Sequence, residues 1–225
     1  MNPASANVVA LIPVYNAANH VGKVVQRTVA RVGRVLVVDD GSTDGSGEEA
    51  RAAGAEVIRH ATNRGKGAAL KTGLARCGEL GCEWIVLLDA DGQHNPDDIP
   101  RLFAGRDGGA KFVLGNRMTQ AESMPFTHYV GNRFSSWVLS RMCRQPLPDS
   151  QCGFRLLHRS LLDALKLTAD HYEADSEMLI LAARAGHRIA SAPVTTIYAD
   201  EHSHIRPIKD TLRVVRLLLR YCYEH

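Results

Sequence analysis

The chain has 225 residues, 45% of them hydrophobic and 23% charged, proportions that suit a globular chain able to bury a large core. A formal net charge of +3 excludes nucleic-acid binding driven by bulk charge. Cys77, Cys82, Cys143, Cys152 and Cys222 are scattered, odd in number and without metal-ligand spacing, so they read as idle thiols of a reduced, cytoplasmic chain.

The first strand is predicted over 7–12, stopped by Pro13 and following the N-terminus so closely that no signal peptide is expected. A helix follows over 20–31, then a strand over 35–38, a short helix over 48–53, a strand over 55–59 and a helix over 67–77. The strand over 84–88 is five apolar residues, Trp84-Ile85-Val86-Leu87-Leu88, as in strands buried on both faces. Strand and helix alternate with short connections, which argues a mostly parallel, doubly wound α/β sheet.

The second half is less regular. A strand is expected over 111–115, helices over 129–144, 160–167 and 175–185, a loop or short strand over 149–155, and a strand over 189–198. The last helix, 207–223, carries a basic stripe of Arg206, Lys209, Arg213, Arg216 and Arg220 and an opposing apolar stripe of Ile208, Leu212, Val215, Leu219 and Cys222. It suits either a helix packed on the sheet or one lying on an anionic leaflet, and Arg133, Arg141 and Arg144 on an earlier helix favour the leaflet. No apolar run approaches the roughly 20 residues of a membrane span, and one domain is expected over 1–225.

Chemistry concentrates where strands end. The apolar run over 84–88 stops at Asp89-Ala90-Asp91-Gly92-Gln93-His94. In an open α/β sheet the ligand crevice lies beyond such strand ends, and residues i and i+2 of extended chain point the same way. Two converging carboxylates suit Mg²⁺, which takes one or two of them plus substrate phosphate oxygens. A calcium loop fails, since His94 and Pro100 stand where Gly and Glu are needed. Asp39-Asp40-Gly41-Ser42 is a second acidic corner, either a ribose or base contact or an Asx-rich turn. Asn63-Arg64-Gly65-Lys66-Gly67 opens a helix, a place suited to phosphate, without being a Walker loop. Arg117 follows a strand and suits phosphate or a carboxylate partner. Glu173, Asp175 and Glu177 crowd a helix N-terminus, where the dipole favours carboxylates. His202 and His204 lack a third zinc ligand with recognisable spacing.

Together and in order, these segments resemble the family 2 glycosyltransferases, in the branch of the dolichol-phosphate mannose synthases and polyprenol-phosphate glycosyltransferases. The residues that carry the resemblance are Ile12-Pro13-Val14-Tyr15-Asn16, Val37-Val38-Asp39-Asp40-Gly41-Ser42-Thr43-Asp44-Gly45, Asn63-Arg64-Gly65-Lys66-Gly67, Asp89-Ala90-Asp91-Gly92-Gln93-His94, Gly115-Asn116-Arg117, and Asp149-Ser150-Gln151-Cys152-Gly153-Phe154-Arg155.

The resemblance implies a GT-A fold and inverting, metal-dependent transfer of a hexose from a nucleotide sugar, of the GDP-mannose or UDP-glucose type, to a polyprenyl or dolichyl phosphate. Pro13, Tyr15, Val38, Asp39, Asp40, Lys66, Asp89, Ala90 and Asp91 are then expected at the nucleotide sugar. Asp89, Asp91 and Gln93 are expected to hold Mg²⁺ or Mn²⁺, and Arg117 to contact a phosphate. Arg133, Gln151, Arg155 and Ser203 are expected on the acceptor side, at the cytoplasmic face of a membrane. An alternative keeps the donor and uses a glycan hydroxyl as acceptor with Asp175 as base, although Ala174 replaces the Glu that other branches carry before that Asp. A phosphatase of the haloacid-dehalogenase kind, with Asp89 as nucleophile, is more remote because Gln93 follows Gly92. A binding module with a silenced site is the non-enzyme alternative.

Overall fold

The computed structural model describes residues 7–119, 124–197 and 207–223. Among them seven strands form one sheet: β1 (Val8–Val14), β2 (Val35–Asp39), β3 (Glu56–Arg59), β4 (Trp84–Leu87), β5 (Phe112–Asn116), β6 (Arg155–His158) and β7 (Ile189–Pro193). Their order is β3-β2-β1-β4-β6-β5-β7. Neighbours run parallel except β6, which is antiparallel to both β4 and β5. The α-helices that accompany them are α1 (Ala18–Val32), α2 (Ser46–Ala52), α3 (Lys66–Glu79), α4 (Ile99–Ala104), α5 (Phe126–Cys143), α6 (Ala174–Arg184) and α7 (Pro207–Tyr223).

β1, β2 and β4 are buried along their whole lengths, as expected of parallel strands covered on both faces. Helix α1 turns Val21, Val24, Val25, Thr28 and Val32 inward, a 3–4 spacing, and ends at Gly33 with φ 75°. Gly73 of α3 lies so close to β1 that a Cβ there would be 2.2 Å from Leu11 Cδ1.

Two expectations need correction, and a choice left open for α7 is narrowed. Pro13 does not stop β1, which runs on to Val14 with Pro13 opposite Val38. Ala10 donates toward β2, so by alternation the missing N–H of Pro13 faces β4, whose pairing with β1 ends at Leu11; no ladder bond is lost. The helix expected over 160–167 is a single 3-10 turn, Arg159–Leu161. Helix α7 turns Leu217 and Tyr221 inward and leaves Leu212, Val215, Leu219 and Cys222 exposed, so its apolar stripe is not its packed face. Arg206 and Ser203 lie outside the described residues, as do His202 and His204.

Glu177 of α6 fastens α7 to the body. Its buried carboxylate accepts hydrogen bonds from Thr168 N (2.9 Å), Thr168 Oγ1 (2.6 Å), Ala169 N (2.9 Å) and Tyr221 Oη (2.9 Å). The same loop, 168–170, lies on the start of α3, where Ala68 N donates to Asp170 O and a Cβ on Gly67 would be 2.5 Å from Ala169 O. Replacing Glu177 by Gln sets an amide against donors and is expected to destabilise the fold by about 1–3 kcal/mol, measured by urea unfolding.

Candidate active site

Because β1, β2 and β4 are parallel, their carboxyl ends share one rim. The connection after β4 carries Asp89 and Asp91, and α3 brings Lys66 to them. Lys66 Nζ lies 2.7 Å from Asp89 Oδ1 and 3.0 Å from Asp175 Oδ2, joining the end of β4 to the start of α6. Burial works against the ammonium charge, but Asp175 and Asp89 outweigh it and raise the Lys66 pKa above the usual lysine range. Burial also opposes the charge of Asp89, yet Lys66 and His94 hold its carboxyl well below the usual carboxylate range. Asp91 moves the other way: burial, then the negative charge of Asp89, raise its pKa.

Arg155 completes the cluster from beneath. It is fully buried at the start of β6, and its guanidinium donates to Cys152 O (2.9 Å), Ser150 O (3.3 Å) and Asp175 O (2.8 Å), with Nη1 3.4 Å from Asp175 Oδ1. Both oxygens of Asp175 therefore face a cation. Arg155, expected on the acceptor side, positions Asp175 instead, because a fully buried side chain offers an acceptor no surface.

Arg117 closes the site along β5. Its Nε and Nη2 reach Asp149 Oδ2 and Oδ1 at 2.8 and 2.9 Å, a bidentate pair, and its backbone N–H also donates to Asp149 (2.9 Å). Asn132 Nδ2 of α5 donates to the same carboxylate at 2.6 Å. Burial opposes the Asp149 charge, but Arg117 and then Asn132 outweigh it and lower the pKa. The 149–155 loop runs between the two clusters. A Cβ on Gly153 would lie 2.4 Å from Asp89 Oδ2, and one on Gly115 would lie 2.9 Å from Cys152 Sγ.

The acidic corner after β2 is mainly a brace. Asp40 is buried and accepts from Arg64 N (3.0 Å) and Gly65 N (2.6 Å), with His60 Nδ1 2.6 Å away. With Asp170 O on Ala68 N, part of the start of α3 is already engaged by protein. Asp39 is fully buried; its Oδ1 accepts from Ser42 N (2.8 Å) and its Oδ2 lies 3.5 Å from Arg59 Nε. Val38 is fully buried between Pro13 and Ile58 and so does not line an open nucleoside pocket, contrary to expectation. Pro13 and Ala90 are also buried. Tyr15 stands partly exposed at the end of β1. Its neighbours are stitched to the corner: Asn16 N donates to Ser42 Oγ, Ala17 N to Ser46 Oγ, and Ala18 N to Asp44 Oδ2.

Gln93 donates its backbone N–H to Asp91 Oδ1 (2.9 Å). Gln151 is exposed and bonds Ser135 (3.2 Å), and Arg133 is exposed on α5, so neither joins the two clusters. Ser203 is not among the described residues. Three participants have no role assigned from sequence: Asp149, Asn132 and His94. His94 Nε2 lies 3.3 Å from Asp89 Oδ2, its ring stacks on Phe154 at 5.3 Å, and its Nδ1 is buried without a partner among the described residues. The place of His94 in the Asp89–His94 motif is its available signal.

The donor set fits a hard divalent cation in kind. Burial and then the negative charge of Asp89 raise the Asp91 pKa, and a nearby dication would offset both. Among the described residues no three His, Cys, Asp or Glu side chains form a metal site, so substrate oxygens and Gln93 would have to complete the shell.

Comparison with known proteins decides the family. Residues 9–166 match the model of glycosyl transferase family 2. The chain belongs to that family. It is 32% identical over 214 residues to the UDP-N-acetylglucosamine–dolichyl-phosphate N-acetylglucosaminyltransferase of Methanococcus voltae, covering 84% of this chain and 85% of that one. It is 31% identical over 204 residues to the undecaprenyl-phosphate mannosyltransferase of Micrococcus luteus, covering 84% and 83%. Glucosyl-3-phosphoglycerate synthase of Mycobacterium tuberculosis, solved with Mn²⁺, uridine diphosphate and phosphoglyceric acid, superposes with a TM-score of 0.70 at 19% identity, covering 99% of this chain and 79% of that one. The fold is GT-A.

The lowered pKa of Asp149 makes a signed prediction. Its contribution to stability is fully present above the unfolded carboxyl value of about 3.9 and is lost as pH falls through the lower folded value. Asp149→Asn is expected to lower the urea midpoint at about pH 6, with the gap to wild type narrowing at about pH 3.

Proposed function

We propose that this family 2 glycosyltransferase moves a hexose from a nucleotide-diphosphate sugar to a polyprenyl phosphate, with inversion at the anomeric carbon. The observation that carries the acceptor class is the setting of Asp175. Lys66 Nζ lies 3.0 Å from one of its oxygens and Arg155 Nη1 3.4 Å from the other, so both oxygens are already engaged by cations rather than turned toward a hydroxyl. A glycan hydroxyl requires a base; a phosphate monoester is already anionic near neutral pH and attacks unaided. The names of the relatives from Methanococcus voltae and Micrococcus luteus support the same acceptor class.

In the reaction the bond from the anomeric carbon to the donor diphosphate breaks, and the nucleoside diphosphate leaves with the electron pair. An acceptor phosphate oxygen forms the new bond on the opposite face. Asp89, Asp91 and Gln93 would hold Mg²⁺ or Mn²⁺ against the diphosphate, which stabilises the charge developing on it without proton transfer. The Mycobacterium tuberculosis synthase, whose fold this chain shares and which was solved with Mn²⁺ and uridine diphosphate, supports this assignment. Lys66 neutralises the carboxylate cluster and supplies positive charge where the diphosphate departs. Arg117, aligned by Asp149, contributes positive charge beside the 149–155 loop. Tyr15, at the end of β1, is placed to pack on the nucleoside.

The test is transfer from radiolabelled GDP-mannose, UDP-glucose and UDP-N-acetylglucosamine to short-chain polyprenyl phosphate, with Mn²⁺ or EDTA. The wild type is expected to label the lipid phosphate only with metal, and Asp91→Asn to lose about a hundredfold or more. Asp175→Asn is expected to lose less than the ~100- to 10,000-fold that removal of a general base costs. Labelling of a free glycan, abolished in Asp175→Asn, would overturn the acceptor assignment.

A further inference from the structure

Helix α5 turns Asn132, Ser136, Leu139 and Cys143 inward, the first two of them polar. Asn132 and Ser136 are buried: Asn132 donates to Asp149, Ser136 Oγ donates to Asn132 Oδ1 (2.9 Å), and Ser150 N donates to Ser136 Oγ (2.9 Å). The opposite side carries Phe126, Val130, Phe134 and Trp137, which are 78, 47, 66 and 59% exposed. Their spacing of 4, 4 and 3 puts them in one stripe. A helix whose inward face is already filled normally keeps its outer face polar, so this outward row of large apolar side chains marks a surface that binds something.

Charge selects the occupant. From Phe126 to Pro148 the sequence contains no Asp or Glu, while Arg133, Arg141 and Arg144 are all exposed. The Arg141 guanidinium lies 5.8 Å from the Trp137 ring, and Phe134 stacks with Trp137 at 6.3 Å. Aromatic rings with arginines between them, and no acid, match an anionic lipid surface: the rings enter the interface and the guanidiniums meet headgroup phosphates. A second copy of the chain is a poorer match, since symmetric pairing through this stripe would bring the same arginines face to face.

We propose that the outward face of α5 docks on an anionic bilayer and thereby seats the Arg117–Asp149 side of the active site against the headgroups. The two roles meet in one helix, because Asn132, facing inward, holds the carboxylate that orients Arg117. This deepens the polyprenyl-phosphate assignment and rests on it for its catalytic consequence; the docking itself does not depend on it.

The experiment is vesicle flotation of the full chain, using phosphatidylcholine alone or mixed with phosphatidylglycerol. The variants are Phe134→Ser/Trp137→Ser and Arg133→Gln/Arg141→Gln, none of which touches the active-site clusters. Wild type is expected to float with the anionic vesicles and not with the neutral ones, and each double variant to partition about tenfold less. Transfer to polyprenyl phosphate in those vesicles is expected to fall with binding in the Phe134/Trp137 variant, while transfer to the same lipid in detergent stays at wild-type level. Equal flotation of wild type and variants would overturn the proposal. So would a wild-type dimer, indifferent to vesicles, that Phe134→Ser/Trp137→Ser converts to monomer. Flotation lost in the variants, with no lipid phosphate labelled by any of the proteins, would uphold the docking and refute the acceptor assignment.

Discussion

The ammonium of Lys66 between the carboxylates of Asp89 and Asp175 is the contact on which the site depends. Three parts of the chain that are distant in sequence, the start of α3, the end of β4 and the start of α6, meet there within hydrogen-bond distance. Each of the three charges is only partly exposed and is balanced by the others, so removing one leaves its partners facing uncompensated charge. Arg155 carries the arrangement one layer further down by tying Asp175 to the 149–155 loop. The result is a preformed set of opposed charges at the sheet's carboxyl rim.

Close backbone approaches make that contact possible. Lys66 stands between Gly65 and Gly67, and a Cβ at either would collide with the 169–171 segment. Asp40 fixes the turn before α3 through Arg64 and Gly65, and Glu177 fixes the facing loop through Thr168 and Ala169. Glu177 also receives Tyr221, so the C-terminal helix and Lys66 are braced against the same short loop. Much of the acidic inventory thus serves to hold loops, and few carboxylates are left to meet substrate.

How far the structure is legible in the sequence follows from the range of the forces involved. The buried parallel strands are readable because β1, β2 and β4 are apolar throughout, and the Asp89–His94 motif declares the rim. β6 is only half visible. Four residues beginning with a buried arginine carry no periodicity, and the strand exists because β4 and β5 pair with it. The start of α1 shows the same limit: Ala17 provides no side-chain cap, and Asp44 and Ser46, before and at the start of α2, do so. Pro13 has a local habit of ending strands, which the end of the β1–β4 pairing makes harmless. For the site, residue identity points to Asp89, Asp91, Lys66, Arg117 and Asp175. The division of labour does not show, because whether Asp40 or Arg155 faces substrate or its own backbone is decided by tertiary packing. The outward face of α5 is hidden for the same reason, since an amphipathic pattern does not state which side is turned in.

If the Asp89–Asp91 pair, balanced by Lys66, receives a divalent cation, it does so together with a nucleoside diphosphate. Titration of Mn²⁺ with the protein probes this step alone, following free Mn²⁺ by electron paramagnetic resonance with and without uridine or guanosine diphosphate. Weak binding of the ion by itself is expected, with much tighter binding when one of the nucleotides is present and loss of that gain in Asp91→Asn. Mn²⁺ binding that neither nucleotide strengthens, or that Asp91→Asn leaves intact, would contradict it.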